Sequence, residues 1–448
     1  MSGVVGIYSK ERNNVSQIIY YGLYALQHRG QISSGIAVNN NGFVDYFKDL
    51  GLVHEVFPKE VMERLRGNIA IGHVRYAFEG EGQNTTNAQP LVVGYKRGAL
   101  ALAHDGSIVN FHKLRDELED TGAIFQSDLD TEVIANLLAK YHKEELNDAV
   151  IKALDKITGS YGLVMMTNDR IIGARDPHGI KPLSLGKIGD DYVLASETCA
   201  FDTMGAEFIR DIEPGEIVVI DESGIKTISH KPKKRNLCLF ELIYFARPDS
   251  KVDGKSIYLS RIEAGRQLAR ESITESDIVI GAPDSGIVAA IGYAEESKIP
   301  YAEGIIKNRY VGRTFIQPTD ELRQQGVKIK LNVLKENIEG KKVILVDDSI
   351  VRGTTIKRTV EMLRKAGAKE IHVKIASPPV TRSCHLGMDT PSEDNLLAAN
   401  MTLEEMNELI GSDSLYYISI DGLVNATGGG NGFCTGCFSG KYPIPANR

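Results

Sequence analysis

The chain reads as two architectures in series, an α+β half followed by an α/β half with a parallel sheet, and three observations predict this. Up to about residue 230, short alternating strands come in runs around a block of helices. At 231–235 a basic, proline-containing segment interrupts all periodicity. Beyond it, strands and helices alternate one by one. A chain of 448 residues also exceeds one typical core, which favours two domains.

In the first half, apolar alternation predicts strands over 4–8, 69–74, 99–104, 162–166, 171–174 and 216–220. A period near 3.6 predicts helices over 15–26, 131–142 and 148–157. Strands, then helices, then strands imply stacked layers. The segment Lys231-Pro-Lys-Lys-Arg235 reads as a solvated linker dividing 1–235 from 236–448. After it, a strand at 278–282 leads to a helix over 286–297, and a strand at 343–346 leads through a loop to a helix over 355–366. A strand at 371–375 follows, and Thr402-Leu-Glu-Glu405 is a capping-box start for a late helix.

Composition removes several function classes. Hydrophobic content of 42% and charged content of 25% are those of an ordinary globular protein. No apolar run approaches the roughly 18 residues of a membrane span, and the first residues lack the basic region of a signal peptide, so the expectation is a cytoplasmic protein. A net charge of -7 argues against a general binder of nucleic acid or anionic membranes. Five cysteines in a chain this long do not make a secreted disulfide framework, so metal binding or catalysis is the better use.

The most informative stretch is Val343-Ile-Leu-Val-Asp-Asp-Ser-Ile-Val-Arg-Gly-Thr-Thr355. An apolar strand delivers Asp347 and Asp348 to the C-terminal edge of a parallel sheet, where ligands of open α/β folds bind. Ser349, Arg352, Gly353, Thr354 and Thr355 then let backbone N–H groups curl round a phosphate at a helix N-terminus. Carboxylates accept hydrogen bonds from ribose hydroxyls and hold a hard cation such as Mg²⁺ directly or through water. A sugar diol bearing a phosphate is the implied ligand. A second loop, Pro283-Asp284-Ser285-Gly286, again joins a strand to a helix and offers donors and a hydroxyl to a phosphate or Mg²⁺. Between the two, Lys307-Asn-Arg-Tyr-Val-Gly-Arg-Thr-Phe-Ile316 carries cations around a glycine. It reads as a lid over a pyrophosphate, with a solvated basic loop as the alternative.

With these segments the chain resembles the glutamine phosphoribosylpyrophosphate amidotransferases, which make phosphoribosylamine at the first step of purine synthesis. The likeness covers nearly the whole length and is closest from Cys238-Leu-Phe-Glu-Leu-Ile-Tyr-Phe-Ala-Arg-Pro-Asp-Ser250 through Pro379. It implies that Ser285, Asp347 and Asp348 lie at the Mg²⁺ site and that Ser349 to Thr355 hold the 5-phosphate of phosphoribosylpyrophosphate (PRPP). Asp284 and Gly286 would belong to the pyrophosphate loop. Arg309, Tyr310 and Arg313 would close the site and complete a path for ammonia. Leu26-Gln-His-Arg-Gly-Gln31, Gly72-His-Val-Arg-Tyr76, Asp176-Pro-His-Gly-Ile-Lys-Pro-Leu183 and Ala195-Ser-Glu-Thr-Cys199 look like an N-terminal-nucleophile glutaminase domain, an αββα sandwich. The second half would be a type I phosphoribosyltransferase domain.

Cys238, Cys384, Cys434 and Cys437 match the ligands of the iron–sulfur subclass of that family, implying a structural [4Fe–4S] cluster, with zinc as the runner-up for a C-x-x-C taken alone. Cys199 is left over and reads as a small buried hydrophobe. The resemblance further implies a homo-oligomer, often a tetramer, and purine nucleotides as inhibitors.

The N-terminal half departs from the family's pattern. The nucleophile is an N-terminal cysteine in the family, and the corresponding residue here, after loss of Met1, is Ser2. A serine hydroxyl depends wholly on a base, at best its own α-amine. The family's oxyanion segment His-Asn-Gly-Asn reads His104-Asp105-Gly106-Ser107, which puts a carboxylate where an amide donated, while the Gly106 N–H is retained. Arg-Tyr-Ser-Thr has become Arg75-Tyr-Ala-Phe78, and Asp128-Leu-Asp130 precedes the helix at 131. Arg75 and Asp130, the partners of the glutamine carboxylate and amine by resemblance, are kept. The expectation is a phosphoribosyltransferase taking nitrogen from glutamine or ammonia, with a weakened or lost glutaminase. The competing readings are a non-catalytic regulator that binds PRPP, glutamine or nucleotides, and a serine amidohydrolase of another amide.

Overall fold

The computed structural model describes residues 1–76, 84–308, 331–430 and 432–446. In the first half two antiparallel sheets lie face to face. The seven-stranded one runs, in spatial order, Glu207–Asp211, Ser184–Ile188, Asp191–Ala195, Ser2–Tyr8, Ile69–Arg75, Ser33–Asn40 and Phe43–Leu50. The six-stranded one runs Gly224–His230, Glu216–Asp221, Ile171–Arg175, Gly159–Met166, Gly98–Ile108 and Leu91–Tyr95. Their inner faces meet through Val4, Ile71, Ala101, Val164, Leu194 and Val218.

Each outer face is covered by helices. Ile19 and Leu23 of Ser16–Ala25 and Phe201 of Thr198–Met204 pack on Val5, Ile36 and Val193. Val133 and Leu137 of Thr131–Tyr141 and Val150 and Leu154 of Leu146–Lys156 pack on Leu102, Leu163 and Ile172. The result is the helix–sheet–sheet–helix sandwich implied by the resemblance. Ser2–Tyr8 is buried along its whole length because it runs in the middle of a sheet covered on both faces.

The second half has a four-stranded parallel sheet in the order Ile278–Gly281, Lys342–Asp347, Glu370–Ile375, Ser414–Tyr417. Leu268 of Ile257–Glu271 and Ala290 and Tyr293 of Gly286–Ser297 share a core with Val279, Ile344 and Val346. On the opposite face Ile356, Val360 and Leu363 of Thr354–Lys365 and Met406 and Ile410 of Leu403–Ile410 pack on Val343, Leu345 and Val373. The capping box is present as expected: Thr402 Oγ1 accepts from Glu405 N at 3.2 Å, and the Glu405 carboxylate accepts from Thr402 N at 2.8 Å.

Every strand and helix expected from the sequence is present, with ends shifted by a few residues. One shift matters. The strand expected to stop at residue 104 runs on to Ile108, with Asp105 paired to Gly162 and Gly106 to Tyr161, so the oxyanion segment lies in a sheet. The strand Ser33–Asn40 was not foreseen, since it is buried on both faces and shows no alternation. The helix Ile257–Glu271 was also not foreseen; Ser256 caps it by accepting from Leu259 N at 3.3 Å. Among the described residues no helix is long and apolar enough to cross a membrane.

Candidate functional site

The loops that leave the C-terminal ends of Ile278–Gly281 and Lys342–Asp347 converge on a cavity of about 430 Å³. Ser285, Asp347, Asp348, Ser349, Arg352, Gly353, Thr354 and Thr355 all line it. Sequence reasoning had selected each of them, and the fold brings them together. Gly353 immediately precedes the helix Thr354–Lys365 with φ +78°, a conformation that glycine adopts without strain and that turns the loop into the helix. The N-terminal N–H groups of that helix therefore face the cavity beside two hydroxyls, an arrangement suited to a phosphate.

The acidic pair sits at the mouth of the strand. Asp348 N donates to Asp347 Oδ1 at 2.9 Å, Ser349 Oγ donates to Asp348 Oδ1 at 2.6 Å, and Ser285 Oγ donates to Asp348 Oδ2. The two loops are thus joined through Asp348. Burial first, and the neighbouring carboxylate second, raise Asp347 well above the usual carboxylate range. Burial raises Asp348 too, against the pull of Ser285, Ser349 and Arg261. Two carboxyls that resist ionisation side by side form a site that a divalent cation would discharge.

Asp284 and Gly286 do not line the cavity. The Asp284 carboxylate pairs with Lys307 at the surface, and Gly286 lies against the carbonyl of Val346, where an added Cβ would stand 2.6 Å from the oxygen. Arg309, Tyr310 and Arg313 lie outside the described residues, as do Ala77 and Phe78. The far wall of the cavity was not anticipated from the sequence. Tyr76, Phe240, Tyr244 and Phe245 form an aromatic surface, with Met388, Asp389 and Thr390 beside it. Phe245 meets Tyr76 edge-on at 6.4 Å, so the wall joins the two halves of the chain. The signal was present in Phe240-Glu-Leu-Ile-Tyr-Phe245, but nothing local says which of these rings faces a ligand.

Beyond that wall lies the N-terminal site. Ser2 is 8% exposed, and its backbone N–H donates to Asp105 Oδ1 at 2.8 Å. The other Asp105 oxygen takes Arg29 Nη2 at 3.0 Å, and Lys181 Nζ stands 3.6 Å from Oδ1. Arg29 also donates to the Ser2 carbonyl at 2.8 Å, to Glu197 at 2.7 Å and to Glu241 at 2.8 and 2.9 Å. Burial acts to raise the Asp105 carboxyl, but Lys181 and Arg29 outweigh it and hold the group well below the usual range. The same balance, with His28 and Arg29 outweighing burial, keeps Glu197 ionised. Asp105 is therefore an anion turned towards the Ser2 nitrogen, and it cannot donate to an oxyanion.

The predicted glutamine anchors take other partners. Asp130 Oδ2 accepts from Ile108 N at 2.9 Å, and Oδ1 faces His104 Nδ1 at 3.3 Å. Arg75 lies opposite Ser2 in the sheet and donates to the Asn87 carbonyl at 2.7 Å. Gly106 adjoins Asp105 with φ +147°.

The four cysteines gather where two apolar clusters meet, Cys434 in one, Cys437 in the other, and Cys238 and Cys384 against both. Leu237–Cys238 pairs in parallel with Phe433–Cys434 so that Cys238 and Cys434 stand in register, and Cys384 Sγ accepts from Leu386 N at 3.3 Å. Cys437 begins one residue into the short helix Gly436–Ser439. Ile180, Leu386, Ile444 and Tyr442 enclose the group. Burial pushes the Cys434 thiol up to about 12, and mutual repulsion with the other cysteines adds to the rise of Cys437. Among the described residues no three Cys, His, Asp or Glu side chains form a group that could hold a metal ion. Cys199 is 1% exposed with its thiol 3.7 Å from Glu197, a buried residue apart from this set.

Comparison with known proteins agrees with the two halves. Residues 73–203 match the glutamine amidotransferase domain model, and residues 257–377 match the phosphoribosyl transferase domain model. The amidophosphoribosyltransferase of Archaeoglobus fulgidus is 49% identical over 99% of this chain and 98% of its own. That of Methanocaldococcus jannaschii is 47% identical over 100% of this chain and 98% of its own. The solved Bacillus subtilis glutamine PRPP amidotransferase, complexed with ADP and GMP, superposes with a TM-score of 0.93 at 46% identity, covering 100% of this chain and 98% of that one. The chain belongs to the amidophosphoribosyltransferases, enzymes of the first step of purine biosynthesis.

Proposed function

We propose that this chain forms phosphoribosylamine from PRPP with free ammonia as nitrogen donor, its glutaminase half having lost hydrolysis. The observation that carries the second clause is the Asp105 carboxylate, held by Arg29 and Lys181 and hydrogen-bonded to the Ser2 nitrogen. An N-terminal nucleophile needs a neutral α-amine as its base. With Met1 in place the Ser2 nitrogen is an amide. With Met1 removed, the amine would lie 2.8 Å from a carboxylate that stabilises it as an ammonium. Asp105, Glu197 and Glu241 all bond Arg29, and a protonated amine would give this acidic set a further countercharge. In either form no described residue is hydrogen-bonded to the Ser2 hydroxyl as a base, and the Gly106 N–H would be left to serve the oxyanion.

In the transferase half, Ser349 to Thr355 would hold the 5-phosphate through backbone N–H groups and hydroxyls. Asp347 and Asp348 would take the ribose diol and, with Ser285, hold Mg²⁺, which when bound would supply positive charge beside the pyrophosphate. Asp284, Gly286, Arg309, Tyr310 and Arg313 would contribute the pyrophosphate loop and lid. The aromatic wall excludes water from C1, so that ammonia is favoured over hydrolysis. No covalent intermediate is needed: the contribution is positioning and electrostatic stabilisation. Arg75 and Asp130 would bind glutamine without cleaving it, in exchange for their present partners Asn87 and His104. Purine nucleotides as inhibitors, supported by the ADP and GMP in the Bacillus subtilis structure, and a homo-oligomer complete the reading. Pyrophosphate release from PRPP and Mg²⁺, with ammonium or glutamine as sole nitrogen source, tests both clauses.

Cys238, Cys384, Cys434 and Cys437 fit a [4Fe–4S] cluster in number, chemistry and enclosure. They come from three chain segments and lie together where two apolar clusters meet, and a cuboidal cluster holds its thiolates further apart than a single tetrahedral ion does. The cluster would tie the C-terminal segment to the core. Anaerobically purified protein should carry iron and acid-labile sulfide in equal amounts, and C437S should lose both. Stoichiometric zinc in place of iron would refute the assignment.

A further inference from the structure

We propose that Asp105 is a positioning residue for the transferase pocket: through Lys181 and Arg29 it fixes the two chain segments that form the pocket's apolar wall. The proposal rests on the reading that the N-terminal site no longer hydrolyses glutamine, and it states what the altered charge set does instead.

The first route runs through Lys181. Asp105 is fully buried, and Lys181 Nζ lies 3.6 Å from its Oδ1 while donating to the Gly387 carbonyl at 2.9 Å. The segment around Gly387 belongs to the C-terminal half but rests on the strand that carries Asp105. Ser160 Oγ donates to the Leu386 carbonyl at 2.8 Å. Gly387 has φ +77°, and an added Cβ would stand 2.6 Å from the carbonyl carbon of Gly106. The next three residues, Met388, Asp389 and Thr390, line the PRPP cavity.

The second route runs through Arg29. Its Nη2 bonds Asp105 at 3.0 Å, and its two terminal nitrogens bond the two oxygens of Glu241 at 2.8 and 2.9 Å. Glu241 opens the one-turn segment Glu241–Phe245, and Phe240, Tyr244 and Phe245 form the aromatic wall. Each cation thus touches Asp105 and a wall segment at once, Lys181 through its single ammonium and Arg29 through its two terminal nitrogens. Glu197, His28 and the Ser2 carbonyl complete the surroundings of Arg29. With an amide at position 105, Lys181 would lose its nearest countercharge while staying buried, an arrangement that favours movement of the ammonium and of the carbonyl it holds.

The test is the ammonium-driven reaction, followed by pyrophosphate release. D105N and K181M should each raise KM for PRPP by about fivefold or more and change kcat by less than about twofold, because the wall is displaced and the acidic pair is not. The double variant D105N/K181M should raise KM by less than the product of the two single effects, since they share the Lys181 link and D105N alone also loosens Arg29. G387A leaves every charge in place and pushes the segment off Gly106, so it should reproduce the KM effect by a separate cause. Folded D105N and G387A proteins with unchanged KM for PRPP would overturn the proposal. Glutamine hydrolysis by the unaltered chain, assayed without PRPP, would instead overturn the reading on which it rests.

Discussion

Replacing Asp347 and Asp348 together by asparagine should lower pyrophosphate release by more than about a thousandfold and leave the ligand-free protein at least as stable as before. The loss of activity follows from removing the groups proposed to hold both the diol and the cation. The stability follows from the same pair seen without ligand. Burial raises both carboxyls above their ordinary range, and the neighbouring Asp348 adds to the rise of Asp347, so the folded chain binds protons that the unfolded chain releases. Such groups favour folding below the ordinary carboxylate pKa, and their contribution is lost as pH rises through the raised values. The Tm of the ligand-free protein should therefore fall as pH rises above the ordinary carboxylate range, by an amount that the double variant does not show. Mg²⁺ with PRPP should raise the Tm of the unaltered protein at pH 7 and leave that of the variant unchanged. Near-normal turnover in the variant would refute the site; a variant that unfolds more easily would refute the electrostatic account of it.

That loop was legible from the sequence because its chemistry is contiguous: strand, acids, hydroxyls, glycine and helix follow one another from Val343 to Thr355. The wall facing it was not legible in the same way. Phe240, Tyr244 and Phe245 come from a short segment, Met388 to Thr390 from a loop far along the chain, and Tyr76 from the other half. Only tertiary packing brings them to one cavity. The strand Gly98–Ile108 shows the same limit on a smaller scale. Its apolar alternation stops at His104, so the acid at 105 reads as a loop residue, whereas pairing with Gly159–Met166 carries the strand to Ile108. Substitution of the family's asparagine by Asp105 was visible at once. What it meets, Arg29 from one segment and Lys181 from another, is set by the sandwich, and those partners decide whether the carboxylate disrupts the site or holds it together.

Ammonium should support phosphoribosylamine formation, and glutamine should support it at less than about a thousandth of that efficiency. Loss of one oxyanion donor alone costs about 10²–10³ in rate, and here the donor is replaced by an anion. The defect in the base is separate from this. Ser2 has a weaker nucleophile than the family's cysteine, and its nitrogen is engaged by Asp105 at 2.8 Å. The two defects differ in how they can be repaired. S2C alone should stay inactive with glutamine, because Asp105 still opposes a neutral amine and still faces the oxyanion. S2C combined with D105N should recover measurable hydrolysis, provided Met1 is removed, a condition that mass spectrometry of the purified chain establishes. Ammonium-driven kcat should be nearly the same in all three proteins, which separates repair of the glutaminase from any change in the transferase. Glutamine-driven pyrophosphate release within tenfold of the ammonium rate in the unaltered chain would mean that Ser2 finds a base despite Asp105. The carboxylate would then have to be neutral or displaced during turnover, against the hold that Arg29 and Lys181 have on it.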